Sequence, residues 1–436
     1  MTVSGRLPIL VVLGAVAVVL EPTRRTVLLW ALVCLALVLL DVLLALSPTR
    51  LVIEREPVPS VRLGESAQSG VLVTNPTRRT LHGHLRDAWV PSAGARGERH
   101  TARIKGGERR RFTTTLHPTR RGDRHADRVT VRSFGPLRLA ARQRSFEVAG
   151  TIRALPPFES RKHLPSRLAS LRQLDGRSAV RTRGQGTEFD SLRDYVEGDD
   201  VRSIDWRATA RRRSSRRGNV VVRTWQPERD RRVIIVLDTS RTSAGRVGDQ
   251  PRLDAAMDAA LLLAALASRA GDRVDFLAGD RWLRARVAAA ANRTTLLNDL
   301  VQAMAPLDPA LLEASWPTLA SAIADTSRRR ALVVLLTPLE PAAIQESLLP
   351  SLPALTRHHR VVIASVADPA IAALAETRET TKDAYAAAAA ERTMALQDRT
   401  AAVLRRMGVA VIDASPAELP PKLADHYLML KAQGLL

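Results

Sequence analysis

The sequence predicts a multi-domain chain: an N-terminal transmembrane helical hairpin, a β-sandwich-like middle, and a C-terminal α/β domain with a doubly wound sheet. Three observations lead there. The first 50 residues hold two long apolar runs separated by Glu21-Pro-Thr-Arg-Arg25. From about Leu51 to Phe158 the apolar residues come in short alternating runs divided by turn signals. After Arg232, continuous apolar runs alternate with Ala/Leu-rich stretches of helical length.

The hairpin occupies residues 1–50. Leu7 to Leu20 is uninterrupted apolar sequence, and Thr26 to Leu46 is apolar except for Asp41. A hydrocarbon core of about 30 Å needs roughly 20 such residues as a helix, so spans are expected over about 3–20 and 26–46. The first is short and needs Thr2 to Arg6, or tilt, to cross fully. Glu21-Pro-Thr-Arg-Arg25 offers no small-x-small cleavage site, and a second apolar run comes at once, which argues against a signal peptide. Two spans put both ends on one side. Arg6, Arg50, Arg55 and Arg62 flank the outer ends against Arg24 and Arg25 in the turn, so the positive-inside rule places the bulk of the chain in the cytoplasm. Asp41 at the bilayer centre would cost about 2.5–3.5 kcal/mol. It therefore reads as an interfacial or hairpin-paired carboxylate, and a single acid makes no ion pathway.

Residues 51–158 read as a small antiparallel sandwich. Val71-Leu-Val73, Arg111 to Leu116, Arg128-Val-Thr-Val131 and Leu137-Arg-Leu139 are separated by Asn75-Pro76, Gly106-Gly107, Arg121-Gly-Asp123 and Gly135-Pro136. The histidines His82, His84, His100, His117 and His125 are spaced too loosely for a metal site and read as surface residues.

Composition limits the function classes. The 436 residues carry a net charge of +22, almost all from arginine; lysine stands only at Lys105, Lys162, Lys382, Lys422 and Lys431. Such a basic body favours anionic lipid surfaces, acidic partners or nucleic acid. Aromatics at 3% leave few platforms for stacking single-stranded nucleic acid. Cys34 is the one cysteine, so no intramolecular disulfide and no cysteine-built metal site exist.

Residues 159–231 form a basic linker containing the most information-dense stretch. Leu192-Arg-Asp-Tyr-Val-Glu-Gly-Asp-Asp-Val-Arg-Ser-Ile-Asp-Trp-Arg-Ala-Thr-Ala-Arg211 interleaves acids and arginines. Its candidate partner-binding residues are Arg193, Tyr195, Gly198, Asp199, Asp200, Arg202, Asp205, Trp206 and Arg211, with Tyr195 and Trp206 as apolar anchors. Gly198 permits a turn, and the adjacent acids can cap the segment after them. Asp199, Asp200 and Asp205 would also suit a metal or acid–base chemistry. A cap and ion-pair network is the alternative reading.

That stretch resembles the signature of the bacterial "domain of unknown function 58" family, R-x-Y-x-x-G-D-x-x-R-x-I-D-W-x-x-x-A-R. The resemblance covers most of the chain. It implies a membrane hairpin, a β-rich segment, the signature and then a von Willebrand factor A-like domain in a bacterial inner membrane protein. It also implies an adaptor role beside a MoxR-type AAA+ ATPase, with no known reaction.

Residues 232–436 carry the α/β pattern. Arg232 to Leu237, Arg273 to Leu277, Ala331 to Leu336, Val361 to Ser365 and Val409 to Ile412 read as strands of a mostly parallel sheet, with one antiparallel strand at Trp282 to Val287. Ligands of such sheets bind beyond the carboxyl ends of the strands. The first strand ends in Asp238-Thr-Ser-Arg-Thr-Ser243, close to the D-x-S-x-S that opens a metal-ion-dependent adhesion site. Asp238, Ser240 and Thr242 offer hard oxygens suited to Mg²⁺. Family-type sites add a later threonine and an aspartate after the fourth strand. Thr337-Pro338-Leu339-Glu340 has no aspartate there, so Glu340 is the substitute candidate and Thr318 the candidate threonine.

The expected function is thus a membrane-anchored protein-interaction module, not an enzyme, with Mg²⁺-dependent partner binding as an option. Binding of nucleic acid or an anionic surface through Arg211-Arg-Arg-Ser-Ser-Arg-Arg217 is the alternative. A metal-dependent hydrolase on Asp199, Asp200 or Asp205 lacks a nucleophile, and no phosphate-binding glycine loop is present.

Overall fold

Two apolar helices open the chain, α1 (Arg6–Leu20) and α2 (Arg24–Leu44). In this computed structural model the described residues are 2–181, 188–197, 199–212, 220–226, 231–289 and 295–436. They divide into two units, Met1–Pro157 and Phe158–Leu436. The helical pair and the sheets after it therefore belong to one unit. The α2 helix, continued to Arg50, is long and apolar enough to cross a membrane, whereas α1 is a shorter apolar helix. Thr23 caps α2 by accepting a hydrogen bond from the Thr26 amide at 3.2 Å. The helices meet where Trp30 lies on Gly14. A Cβ on Gly14 would sit 2.0 Å from Trp30 Nε1, so only glycine allows this approach. Most other side chains of the pair, including Ile9, Val12, Leu13, Leu28 and Leu32, are exposed.

The strands of this unit are β1 (Thr2–Val3), β2 (Val52–Arg55), β3 (Val61–Arg62), β4 (Ala67–Thr74), β5 (Leu81–Trp89), β6 (Ala95–Arg96), β7 (Arg99–Ile104), β8 (Arg109–Leu116), β9 (Gly122–Phe134), β10 (Ala140–Phe146) and β11 (Thr151–Leu155). One sheet is built on the long β9, which pairs with β5, β10 and β11. β7 joins on β5, β1 on β10 and β3 on β11. The other runs β2-β4-β8-β6. Alternate residues face inward, so Val71, Val73 and Phe112 of the second sheet pack with Leu81, Leu85, Ile104, Val129 and Val131 of the first. Inside this core Arg55 donates to both oxygens of Asp87, at 2.6 and 3.1 Å, and Trp89 Nε1 reaches the same carboxylate at 3.0 Å.

Asp41, expected as an interfacial or hairpin-paired carboxylate, pairs with backbone amides of the sheet instead. Its Oδ1 accepts from the Leu137 amide at 2.8 Å. Its Oδ2 accepts from Leu139 and Ala140 at 2.7 and 3.0 Å. The last turn of α2 thus holds the turn between β9 and β10, and Leu137-Arg-Leu139, expected as a strand, is that turn. Three backbone donors replace the water the carboxylate has lost. Arg79 donates to the Leu44 carbonyl at the same helix end.

The second unit begins with a short 3₁₀ turn and α3 (Leu164–Arg181). The segment β12 (Glu188–Asp194), α4 (Trp206–Arg212) and β13 (Val221–Gln226) comes next, with the strands antiparallel. After it stand β14 (Arg232–Asp238), the small antiparallel pair β15 (Arg246–Val247) and β16 (Gln250–Pro251), α5 (Arg252–Arg269), β17 (Arg273–Gly279), β18 (Leu283–Val287), α6 (Leu296–Met304) and α7 (Trp316–Thr326). The chain ends with β19 (Leu332–Leu336), α8 (Pro341–Ala343), α9 (Leu349–Thr356), β20 (Arg360–Val366), α10 (Pro369–Glu376), α11 (Thr381–Arg406), β21 (Ala410–Ala414) and α12 (Leu419–Ala432). The main sheet is ordered β18-β17-β14-β19-β20-β21, parallel apart from the edge strand β18. Ile234, Val236, Val333, Leu335 and Ile363 pack against α7, α9 and α11. The alternate residues of the same strands are equally buried, which is why these strands read as unbroken apolar runs.

Candidate functional site

Two clusters in the second unit hold the residues singled out in the sequence. In the first, Asp199, Asp200 and Asp205 are already engaged. Asp199 accepts from Arg193 at 2.6 Å and from the Val196 amide at 3.0 Å. Arg193 first, then that amide, hold the Asp199 carboxyl below its ordinary range. Asp200 caps a 3₁₀ turn, Val201–Ser203, by accepting from the Arg202 amide at 3.0 Å. Asp205 accepts from the Ala208 amide at 3.0 Å, starting α4, and from Arg223 at 2.8 Å. The Ala208 amide first, then Arg223, lower its carboxyl too. Thr209 accepts from the Val221 amide at 3.0 Å and ties α4 to β13. The segment is therefore a self-satisfied frame of caps and ion pairs, and its carboxylates are committed to holding it together. Gly198, and Arg213 to Arg217 of the arginine-rich run, lie outside the described residues.

The structure places Tyr195 and Trp206, expected as apolar anchors, at the surface of the frame. Trp206 is 67% exposed, and Leu192, Tyr195, Val196 and Val201 also face solvent. A two-stranded sheet and one seven-residue helix have too little apolar surface to cover an indole. Five large apolar side chains exposed within one short charged segment are the kind of surface that marks a docking site. Arg223, the ion-pair partner of Asp205, was not picked out in the sequence, since it lies 18 residues away in the opposite strand.

The second cluster sits at the carboxyl end of β14. Asp238, 1% exposed, accepts from the Ser240 amide at 2.8 Å, from Thr242 Oγ1 at 3.3 Å and from Thr337 Oγ1 at 2.7 Å. Ser240 and Thr242 share a hydrogen bond of 3.0 Å. Burial pushes the Asp238 carboxyl up, against the pull of Thr337, Ser240 and Thr242. The expected Asp238, Ser240 and Thr242 do meet, and Thr337 joins them. The only signal for Thr337 was its place directly after the strand beside β14. Glu340 is exposed at the start of α8, and Thr318 shares its hydroxyl proton with Ser315 at 2.8 Å. Nearby, Asp280 accepts from Thr239 at 3.0 Å and from Arg284 at 2.8 Å. Burial works to raise this carboxyl, but Arg284, the Trp282 amide and Thr239 together hold it below its ordinary range.

One carboxylate and three hydroxyls are hard donors of the kind Mg²⁺ takes. Among the described residues no cation forms an ion pair with Asp238, so a buried negative charge there lacks a counter-charge. Among the same residues no three His, Cys, Asp or Glu side chains are grouped as metal ligands. The site fits a hard cation in donor type, with water or a partner's carboxylate needed to complete its shell.

The family described as "Protein of unknown function DUF58" matches residues 191–418, more than half of the chain. No curated protein matches. Among solved structures, the CARDB domain of the PF1109 protein from Pyrococcus furiosus is similar in two determinations. The crystal structure, in complex with di-metal ions, has 16% identity and a TM-score of 0.18 over 24% of this chain and 89% of that one. The solution structure has 16% identity and a TM-score of 0.17 over 24% and 92%.

Proposed function

Since the chain belongs to the DUF58 family of proteins of unknown function, we propose that it works by binding, as a membrane-anchored adaptor. The observation that carries this reading is the exposed Trp206 with Tyr195, Val196 and Val201, on a frame whose Asp199 and Asp205 are held by hydrogen bonds and ion pairs. A rigid frame presenting an indole is how binding hot spots are built. On this reading α1 and α2 form a two-span hairpin in a bacterial inner membrane, and the rest of the chain is cytoplasmic. The sheet order, with Asp238, Ser240 and Thr242 at the carboxyl end of its central strand, supports a von Willebrand factor A-like second unit. A MoxR-type AAA+ ATPase is the partner the family resemblance brings. Mg²⁺ would be held by Asp238, Ser240, Thr242 and Thr337. Its chemistry there would be a bridge to a partner's carboxylate.

The test is co-purification of the full chain, in neutral detergent, with the MoxR-type ATPase of its own organism. Trp206→Ala is expected to weaken the complex at least about 30-fold, the range of an interface hot spot. Asp238→Ala, compared with wild type with and without Mg²⁺, reads the cation's part. A complex indifferent to Trp206→Ala would overturn the docking surface. Mg²⁺ dependence that survives Asp238→Ala would overturn the metal site.

A further inference from the structure

We propose that the outer face of the β5–β7–β9 sheet, beside the start of α1, is a binding site for the anionic headgroups of phospholipids. The inference rests on the membrane anchoring proposed above but on different residues from the partner surface.

Strand alternation builds the site. In register, His82 faces Arg103, and His84 faces Thr101 on one side and Arg132 on the other. All five point away from the core that Leu81, Leu85, Ile104 and Val131 fill on the opposite face. They line a trough of about 520 Å³ whose remaining wall includes Ser4, Arg6 and Arg138. Through His84, Thr101 and Arg132 it continues into a second hollow of about 510 Å³ towards Arg86 and Arg99.

The charges are unevenly matched. Glu98 pairs with Arg86 at 3.0 Å and stands 3.9 Å from Arg99. Arg132 donates to the neutral Gln143, at 2.6 Å, and has no carboxylate partner among the described residues. Arg6, Arg103 and Arg138 have no carboxylate partner among the described residues. Four guanidiniums thus border one trough without a counter-charge, and the planar fork of each matches a phosphate. Arg138 is also fixed in place. Its φ is 56°, the left-handed region that a non-glycine residue enters at a cost. Ser4 Oγ holds its carbonyl at 2.5 Å, while Asp41 holds the amides on either side.

Location selects the source of the phosphate. The exposed apolar side chains of α1 begin at Ile9, one turn beyond Arg6. The trough therefore stands where an apolar helical surface gives way to charge, the level of headgroups when the helix is embedded. Anionic lipids attract each such arginine by roughly fivefold in affinity.

The experiment uses the full chain in neutral detergent, titrated with dihexanoyl-phosphatidylglycerol, dihexanoyl-phosphatidylcholine or inorganic phosphate and read by calorimetry. The anionic lipid is expected to bind, the zwitterionic lipid to bind far more weakly, and phosphate alone to be weak. The triple variant R103Q/R132Q/R138Q should lose about a hundredfold, at roughly fivefold per guanidinium. R103Q alone, an exposed position, should lose about fivefold and guards against misfolding of the triple variant. R357Q/R392Q/R399Q removes the same charge from the second unit and should leave binding unchanged. Equal affinity for the two lipids, phosphate binding as tight as the anionic lipid, or full binding by the triple variant would each overturn the proposal. Flotation of the detergent-free chain with phosphatidylcholine vesicles tests anchoring separately. A chain that fails to float overturns the anchor, and selective lipid binding lost in R103Q/R132Q/R138Q would still sustain the trough.

Discussion

Replacing Asp41 by asparagine is expected to loosen the turn between β9 and β10 while leaving the rest of the sandwich in place. The carboxylate is 0% exposed, and its two oxygens receive three backbone amides, one at Oδ1 and two at Oδ2. Asparagine presents one oxygen. Its better orientation keeps the Leu139 and Ala140 bonds and turns an NH₂ group towards the Leu137 amide. One buried donor left unsatisfied costs about 1–3 kcal/mol, and the two surviving bonds lose their charge assistance. A total of about 2–3 kcal/mol results. Alanine removes both acceptor oxygens, leaving three amides unpaired, and should cost about 3–6 kcal/mol. The assay is hydrogen exchange by mass spectrometry on the full chain in neutral detergent, following the peptide that spans Phe134 to Ala141. If local opening governs exchange, about 2–3 kcal/mol means roughly 30- to 150-fold faster exchange, at tenfold per 1.36 kcal/mol. Gly135→Ala should open the same turn, because its Cβ would lie 2.1 Å from Asp41 Oδ1 and 2.2 Å from the Asp41 carbonyl. The carbonyl clash persists in Asp41→Ala, so the double variant should not recover. Unchanged exchange in Asp41→Asn, or alanine no worse than asparagine, would refute the assignment of Asp41 as the acceptor.

Two further outcomes rest on buried and paired charges. Asp199 and Asp205 have carboxyls held below the ordinary value of 3.8. Their contribution to the signature frame is therefore complete above that value and is lost as pH falls through the lower folded value. The Val196 and Ala208 amide resonances should titrate below 3.8, and a midpoint at or above it would contradict the hydrogen bonds. In the sandwich, Asp87→Ala strands Arg55, whose side chain is only 2% exposed. A loss of about 3–5 kcal/mol in denaturant unfolding is expected. A Met for Arg55 combined with Leu for Asp87 should recover much of it, and an unchanged midpoint in Asp87→Ala would count against the pair.

What could be read ahead of the structure depended on how far apart the interacting groups lie along the chain. Val233 to Leu237 is legible as a central strand because burial on both faces demands an unbroken apolar run, and that demand is local. Asp238, Ser240 and Thr242 were legible for the same reason, as one turn brings them together. Thr337 was not: it reaches Asp238 from 99 residues away, and nothing around it distinguishes it from any threonine that ends a strand. Asp41 was legible as a carboxylate in need of a partner, but the partners are backbone amides of a turn, and a backbone amide has no sequence signature. Lys431 looked like one of five scattered lysines, and it is buried against Asp272 at 3.0 Å, beside Tyr427. Trp206, expected as an apolar anchor, lies at the surface. Large aromatic residues are assigned to cores by default, yet its segment lacks the apolar mass to bury it, and that deficit is countable in the sequence: between Arg193 and Arg212 the charged residues outnumber the apolar ones large enough to pack. An aromatic residue inside a charged, self-capping stretch is better expected at a surface. By the same test Tyr195, in the same stretch, belongs with Trp206 at the surface and not in a core.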